Sequence, residues 1–365
     1  MKNNLRKDLL IDTLSIQSSS GNEYQMIAYI KDFCFKNVPE AKVEIKDNNI
    51  YITKGESDVY PCIVSHTDTV HDIHNNFRVF DDNGCIFAFN SETGTQVGVG
   101  GDDKVGIWIA LYMLITRSVI KCAFFHSEEI GCVGSSQADM DWFKDVGYCF
   151  QGDRRGNSDF VNSISGTLFS KAFSKKISPV LAHHGYKETS GSITDVGQLA
   201  ENGIGVCVAN MSCGYYAPHS DDEVVIFDDA NNCLTMVDRL IDELGNNVYG
   251  FQYISDYGNY NKNSWGDFNG ASKDYWYGGY GTAVQEVVTN EQTGEPSCYY
   301  CGCSELLESE YGDEFVYCPD CLSDIVVSKE TTDKEEQEDI SDDYDGSMEH
   351  NSMVNEYINK WAKTK

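Results

Sequence analysis

Two adjacent carboxylates, Glu128 and Glu129, close the segment "CAFFHSEEIGCVGS", where an apolar strand-like run turns charged within a few residues. Like charges side by side repel, and burial strengthens the repulsion, so either water bathes both groups or a cation neutralises them. Five other segments end in groups of the same chemical kind. "IVSHTDT" supplies His66 and Asp68, and "GVGGDDKVG" supplies Asp102 and Asp103 ahead of a helical pattern. "FQGDRRG" supplies Asp153 at the close of an apolar strand, "GSITDVGQL" supplies Asp195, and "YYAPHSDDE" supplies His219. Each has an ordinary explanation alone: a His-x-Asp is commonly a surface turn, and acids ahead of a helix commonly cap it. Together, at the ends of several strands of one expected sheet, they can converge. Imidazoles mixed with carboxylates suit borderline divalent metals such as zinc, cobalt or manganese. A dinuclear site needs a bridging carboxylate, one further acid and one histidine per metal, and a carboxylate left over as base. Two histidines, Asp102, Asp153 and Glu129, with Glu128 unassigned, satisfy that requirement.

The elements that must position these groups are legible from periodicity. Residues 1 to 245 read as one α/β unit. Strands are expected in "KVEIKDNNIYITK", "PCIVSH", "FRVFDDNGCIFAF", "IKCAFFH", "GYCFQGD" and "GIGVCVAN", the first and third with hairpin turns at Asn-rich positions. Helical patterns fall at the N-terminus and over 24 to 36, 103 to 117, 135 to 144, 194 to 202 and 228 to 243. Apolar central strands alternating with helices predict a mixed, mostly parallel sheet with helices on both faces, a class that binds ligands beyond its strand ends.

The 365 residues carry a formal net charge of -31, which argues against a nucleic-acid backbone or an anionic membrane as partner. No apolar run approaches the ~20 residues that span a bilayer. The opening apolar stretch is short and broken by Asp12, so a secretory signal is not expected. Most of the 14 cysteines lie in apolar, strand-like segments such as those around Cys62, Cys122, Cys149 and Cys207. Reduced core thiols and a cytoplasmic location follow as expectations.

Composition changes after Gly245. Residues 246 to 292 are rich in Tyr, Gly, Asn and Trp and read as a linker. Residues 293 to 326 hold Cys298-x-x-Cys301 and, sixteen residues later, Cys318-x-x-Cys321, with Cys303 to spare. Two such pairs on tight knuckles form a tetrahedral thiolate site, so a small zinc ribbon with one structural zinc is expected. The module lacks Lys and Arg, which favours a protein contact or structural capping over nucleic-acid binding. Residues 327 to 365 combine an acidic run that cannot fold alone with a short helical tail.

The ordered set His-x-Asp, Gly-x-Asp-Asp-Lys, Glu-Glu-x-Gly, Asp, Thr-Asp and Pro-His-Ser resembles the co-catalytic zinc exopeptidases of clan MH. "SIQSSSGNEYQM", "GGDDKVG", "HSEEIGCVGS" and "SITDVGQL" look most like peptidase T and related aminopeptidases, over residues 8 to 243. The resemblance implies two active-site divalent metals bridged by Asp102. His66 and Asp153 would complete one site, and Glu129 and His219 the other. It further implies that Asp68 orients His66, that Glu128 is the general base acting on a water between the metals, and that the peptide bond after Asp102 is cis. The aspartate at 153 goes, by resemblance, with aminopeptidases acting on short peptides. Asp195, Tyr215 and Tyr216 would help to shape the substrate pocket, with ordinary packing the competing reading for each. The dimerisation domain that peptidase T relatives insert before the final histidine is absent, since only residues 154 to 218 lie there. Two alternatives stand beside this reading: a deacylase or amidohydrolase on the same scaffold, and a non-catalytic protein acting through ribbon and linker. Oligomeric state is left open.

Overall fold

The computed structural model describes residues 2 to 255 and five short strands further on. The chain divides into two compact units, Met1–Gly279 and Tyr280–Lys365. In the first, α1 (Lys2–Leu14) and α2 (Tyr24–Asn37) precede a hairpin of β1 (Lys42–Lys46) and β2 (Asn49–Lys54). Its loop residues Asp47 and Asn48 have φ of 50° and 65°, the left-handed pair that a two-residue hairpin turn requires and that Asp and Asn tolerate. Then come β3 (Tyr60–His66), the hairpin β4 (Phe77–Asp82) and β5 (Cys85–Asn90), β6 (Thr95–Val97) and α3 (Gly101–Thr116). β7 (Ile120–Phe125), α4 (Val133–Ser136), β8 (Val146–Arg154), β9 (Asp159–Ser163), α5 (Lys171–His184) and β10 (Lys187–Ser190) follow. α6 (Asp195–Glu201), β11 (Val208–Ser212), β12 (Tyr215–Tyr216), β13 (Val224–Ile226) and α7 (Phe227–Leu244) complete the described elements of this unit.

The main sheet runs β1-β2-β7-β3-β8-β11-β9-β10. Its centre, β7-β3-β8-β11, is parallel, and the flanking pairs β2/β7 and β11/β9 are antiparallel. Every residue of β3 and β7 is buried, although neighbours along a strand point to opposite faces, so both faces are covered. α3 is buried from Gly101 to Leu114, as expected of a helix apolar on all sides, and Trp108 fixes it by donating Nε1–H to the Arg6 carbonyl at 2.8 Å. A second sheet, β12-β13-β5-β4 with β6 on β5, supports the loop ahead of α3.

Two local expectations change. The helical pattern over 135 to 144 yields only the short α4, because Trp142, Phe143 and Lys144 donate three residues back, to Asp139, Met140 and Asp141, forming successive tight turns. α5, which carries Pro179 in its interior, was not expected. It buries Phe173, Ile177, Val180 and Leu181, and that packing outweighs the break proline usually makes.

The residues after α7 continue along the first unit. Tyr249 donates to Gly147 and accepts from Cys207, Phe251 donates to Gly205, and Tyr253 reaches the Ile164 carbonyl through its hydroxyl. The nine cysteines described in the first unit are free thiols. Among the described residues, no helix is long and apolar enough to cross a membrane.

In the second unit β14 (Val288–Thr289) pairs with β15 (Pro296–Ser297). β16 (Leu307–Glu308), β17 (Phe315–Cys318) and β18 (Ser323–Val326) form an antiparallel three-stranded sheet. Of the expected ribbon ligands, Cys298, Cys301 and Cys321 lie outside the described residues, and for Cys318 only its strand position is described. Residues 256 to 287 of the linker and the segment 327 to 365 also lie outside.

Candidate metal centre

The carboxyl ends of the four parallel strands meet at one place. β3 ends at His66, β7 leads into Ser127, Glu128 and Glu129, β8 carries Asp153 near its end, and the chain beyond β11 carries His219. Asp102 enters beside them from the start of α3, and the peptide bond between Asp102 and Asp103 is cis, as the resemblance implies.

The ligating atoms fall into two groups that share Asp102: His66 with Asp102 and Asp153, and Asp102 with Glu129 and His219. One oxygen of Asp102 lies 3.2 Å from His66 Nε2, and the other lies 3.3 Å from His219 Nε2. His66 Nε2 is 3.5 Å from Asp153 Oδ1, and His219 Nε2 is 3.1 Å from Glu129 Oε2. Glu128 belongs to neither group and stands 3.9 Å from His66 Nε2. Its Oε1 accepts from the Cys132 thiol at 3.3 Å.

Asp68 sits behind His66. The His66 Nδ1 is 3.0 Å from the Asp68 carbonyl, and with Nδ1–H donating there, Nε2 presents its lone pair to the centre. Asp153 is braced more elaborately. Asn210 clamps its backbone N–H and carbonyl, at 2.9 and 2.8 Å, while Thr194 and Gln151 donate to its Oδ2 at 3.0 and 3.2 Å.

The charges are out of balance. Burial, then Asp102, push Asp153 up to about 8. Burial raises Glu128 well above the carboxylate range, helped by Asp153, Asp195 and Glu129. Glu129 is raised by burial and by Asp102. His219 is pushed up to about 11 by its bonds to Asp102 and Glu129. For His66 burial pulls downward, but Asp102, Asp153 and Asp68 outweigh it and raise the group well above its ordinary value. Four carboxylates thus crowd two imidazoles, and the Glu129 Oε1 is buried without a hydrogen-bond partner. An oxygen-and-nitrogen donor set with surplus negative charge and an orphaned carboxylate oxygen fits divalent cations.

The residues expected at a substrate pocket are placed as follows. Asp195 has no exposed surface and accepts from Gln151 at 3.0 Å, behind Asp153. Tyr215 is buried in the β12/β13 pair, and Tyr216 donates its hydroxyl to Asp229 at 2.6 Å. Several contributors escaped the sequence reading. Gln151 and Asn210 are polar residues inside otherwise apolar strand segments, which is the signal the sequence offers for them. Ser20 donates to Asp68 at 2.7 Å, and Glu23 accepts from the Ser127 amide and hydroxyl at 3.2 and 3.1 Å. Those two lie in "SSSGNE", the loop ahead of α2. Glu223 also escaped, one acid among three in "SDDE".

No family model matches the sequence, and no curated protein sequence does. Solved structures do match in fold. Aminopeptidase PepT from Bacillus cereus aligns with a TM-score of 0.56 at 12% identity, over 66% of this chain and 98% of that one. A tripeptidase from Staphylococcus aureus gives 0.54 at 13%, over 66% and 97%. An aminopeptidase from the archaeon Desulfurococcus kamchatkensis gives 0.50 at 15%, over 67% and 96%. At such identities the likeness is one of architecture: this chain has the mixed α/β fold of the peptidase T-type aminopeptidases, with its two candidate cation positions at the carboxyl ends of the parallel strands.

Proposed function

We propose that this chain is a dinuclear metal-dependent aminopeptidase that removes residues from the N-terminus of short peptides. The observation that carries the reading is Asp102, whose two oxygens face two separate histidine-and-carboxylate groups. Solved structures of the same fold that are named aminopeptidase and tripeptidase support it. His66, Asp102 and Asp153 would hold one ion, and Asp102, Glu129 and His219 the other, with zinc, cobalt or manganese suiting the donors. Bound there, such ions lower the pKa of water and polarise a carbonyl. Glu128, free of both groups, takes a proton from the attacking water and delivers it to the leaving amine as the peptide bond breaks. The free thiols throughout the described core suit a reducing, cytoplasmic compartment. Cys298, Cys301, Cys318 and Cys321 complete the proposal as ligands of one structural zinc, with the ribbon as a contact for a protein partner.

Two measurements test this. Glu128→Gln should retain both active-site metals while hydrolysis falls by ~10²- to 10⁴-fold; full turnover with metals bound would remove Glu128 from the reaction. Peptides with free N-termini should be cleaved in preference to acetylated ones, and the opposite preference would move the assignment to a deacylase.

A further inference from the structure

The loop that carries the bridging aspartate is held by a side chain from another loop. Glu223 has no exposed surface, and its carboxylate accepts three hydrogen bonds. Oε2 takes the Gly100 amide at 2.6 Å and the His71 ring at 2.7 Å, and Oε1 takes the Asp102 amide at 3.0 Å. A carboxylate only accepts, so His71 Nε2 must be the donor. Lys104, buried behind the same turn, donates to the carbonyls of Val99 and Leu14 at 3.1 and 3.3 Å and adds a favourable charge near Glu223.

The glycines of "QVGVGGDD" make this approach feasible. A Cβ on Gly98 would lie 2.0 Å from the His71 ring. One on Gly101 would meet Tyr215 and Val225 at 2.7 Å, and Gly100 adopts a φ of +71°. Side chains at these positions would collide with His71, Tyr215 and Val225, the neighbours that pack around the turn. Glu223 follows His219 by four residues, so the loop that brings one candidate ligand also fixes the backbone of the shared one.

We infer that Glu223, oriented by His71, is a positioning residue: it sets how Asp102 straddles the two cation positions and so couples the His66 group to the His219 group. This rests on the dinuclear reading above, but it concerns the spacing of the pair rather than the chemistry. Removing the carboxylate leaves each ligand side chain in place, yet frees the Gly100–Asp102 backbone to shift. A shift that suits one cation then spoils the other.

The test uses full-length protein, Mn(II) as the probe, stepwise calorimetric titration, and electron paramagnetic resonance to detect exchange between paired ions. The wild-type chain should bind an exchange-coupled pair. In Glu223→Gln, whose amide would turn an N–H toward a backbone N–H, the weaker stepwise affinity should fall by ~10- to 100-fold and the exchange signature should change or vanish. His71→Leu, which removes only one of the three donors, should shift the spectrum in the same direction by less, and it serves as the readout should Glu223→Gln fail to fold. Unchanged stepwise affinities and an unchanged coupled spectrum in a folded variant would overturn the inference while leaving the dinuclear reading intact. Absence of any coupled pair in the wild-type chain would instead remove the dinuclear reading, and this inference with it.

Discussion

Asp68 accepts the backbone N–H of Glu128 at 2.9 Å through one carboxylate oxygen, while its other oxygen takes the N–H of Glu129 at 3.2 Å. The same residue lies against His66 Nδ1 and receives the Ser20 hydroxyl. The side chain therefore fixes the amides of both adjacent acids, one a member of the second group and the other the candidate base, while the backbone carbonyl of the same residue holds His66. Asp68→Asn would turn an amide N–H against one of those backbone donors and break the bracket. Metal affinity or peptide hydrolysis should fall by ~10- to 100-fold. Paired metal titrations and kcat/KM measurements check this, and wild-type values in both would contradict the role.

The protein stripped of metal should lose stability as pH rises. Asp153 is raised from 3.8 to about 8 in the fold, so the folded chain holds a proton there that the unfolded chain releases. That contribution is complete below 3.8 and is lost progressively up to about 8. His219, raised from 6.5 to about 11, acts in the same sense: its contribution is complete below 6.5 and lost towards 11. In both cases the folded state binds more protons than the unfolded one, which makes the slope of stability against pH negative. Asp102, lowered by its histidine partners despite burial, has an opposite contribution that is already complete above 3.8. Calorimetric melts in chelator should show Tm falling through this window, and saturating divalent metal should offset the fall because cations replace those protons. A rising Tm in chelator would contradict the charge balance described here.

The first unit should need residues beyond α7. Tyr249 packs edge-on to Tyr148 and Phe173, with centroids at 5.8 and 5.2 Å, and Phe251 and Tyr253 also lie against the core. A chain ending at Gly245 exposes the surfaces they cover and loses four hydrogen bonds linking 249, 251 and 253 to the unit. Such a chain should be less stable than one ending at Ser255 by roughly 2–4 kcal/mol, the scale of two or three half-buried aromatics. Urea unfolding of the two chains measures the difference; equal midpoints would show that the segment adds nothing.

The sequence alone determined which strands are buried and which groups stand at their ends. Apolar runs such as "PCIVSH" and "IKCAFFH" stop abruptly at His66 and before Glu128, and that change of character reflects passage from covered sheet to open strand end. It also carried the order of motifs that resembles peptidase T. Only the tertiary structure decided that Asp102 faces both groups at once, that Asp68 brackets the two glutamates, and that Glu223 rather than its acidic neighbours turns inward. It likewise placed β9 antiparallel beside β11 and kept α5 helical through Pro179. Local periodicity records whether a side chain faces the core, whereas these relations join residues such as His66 and Asp102, 36 positions apart, or Asp102 and His219, 117 apart. Their distances follow from sheet order and register, which are set by the packing of the whole unit and leave no mark in any single segment.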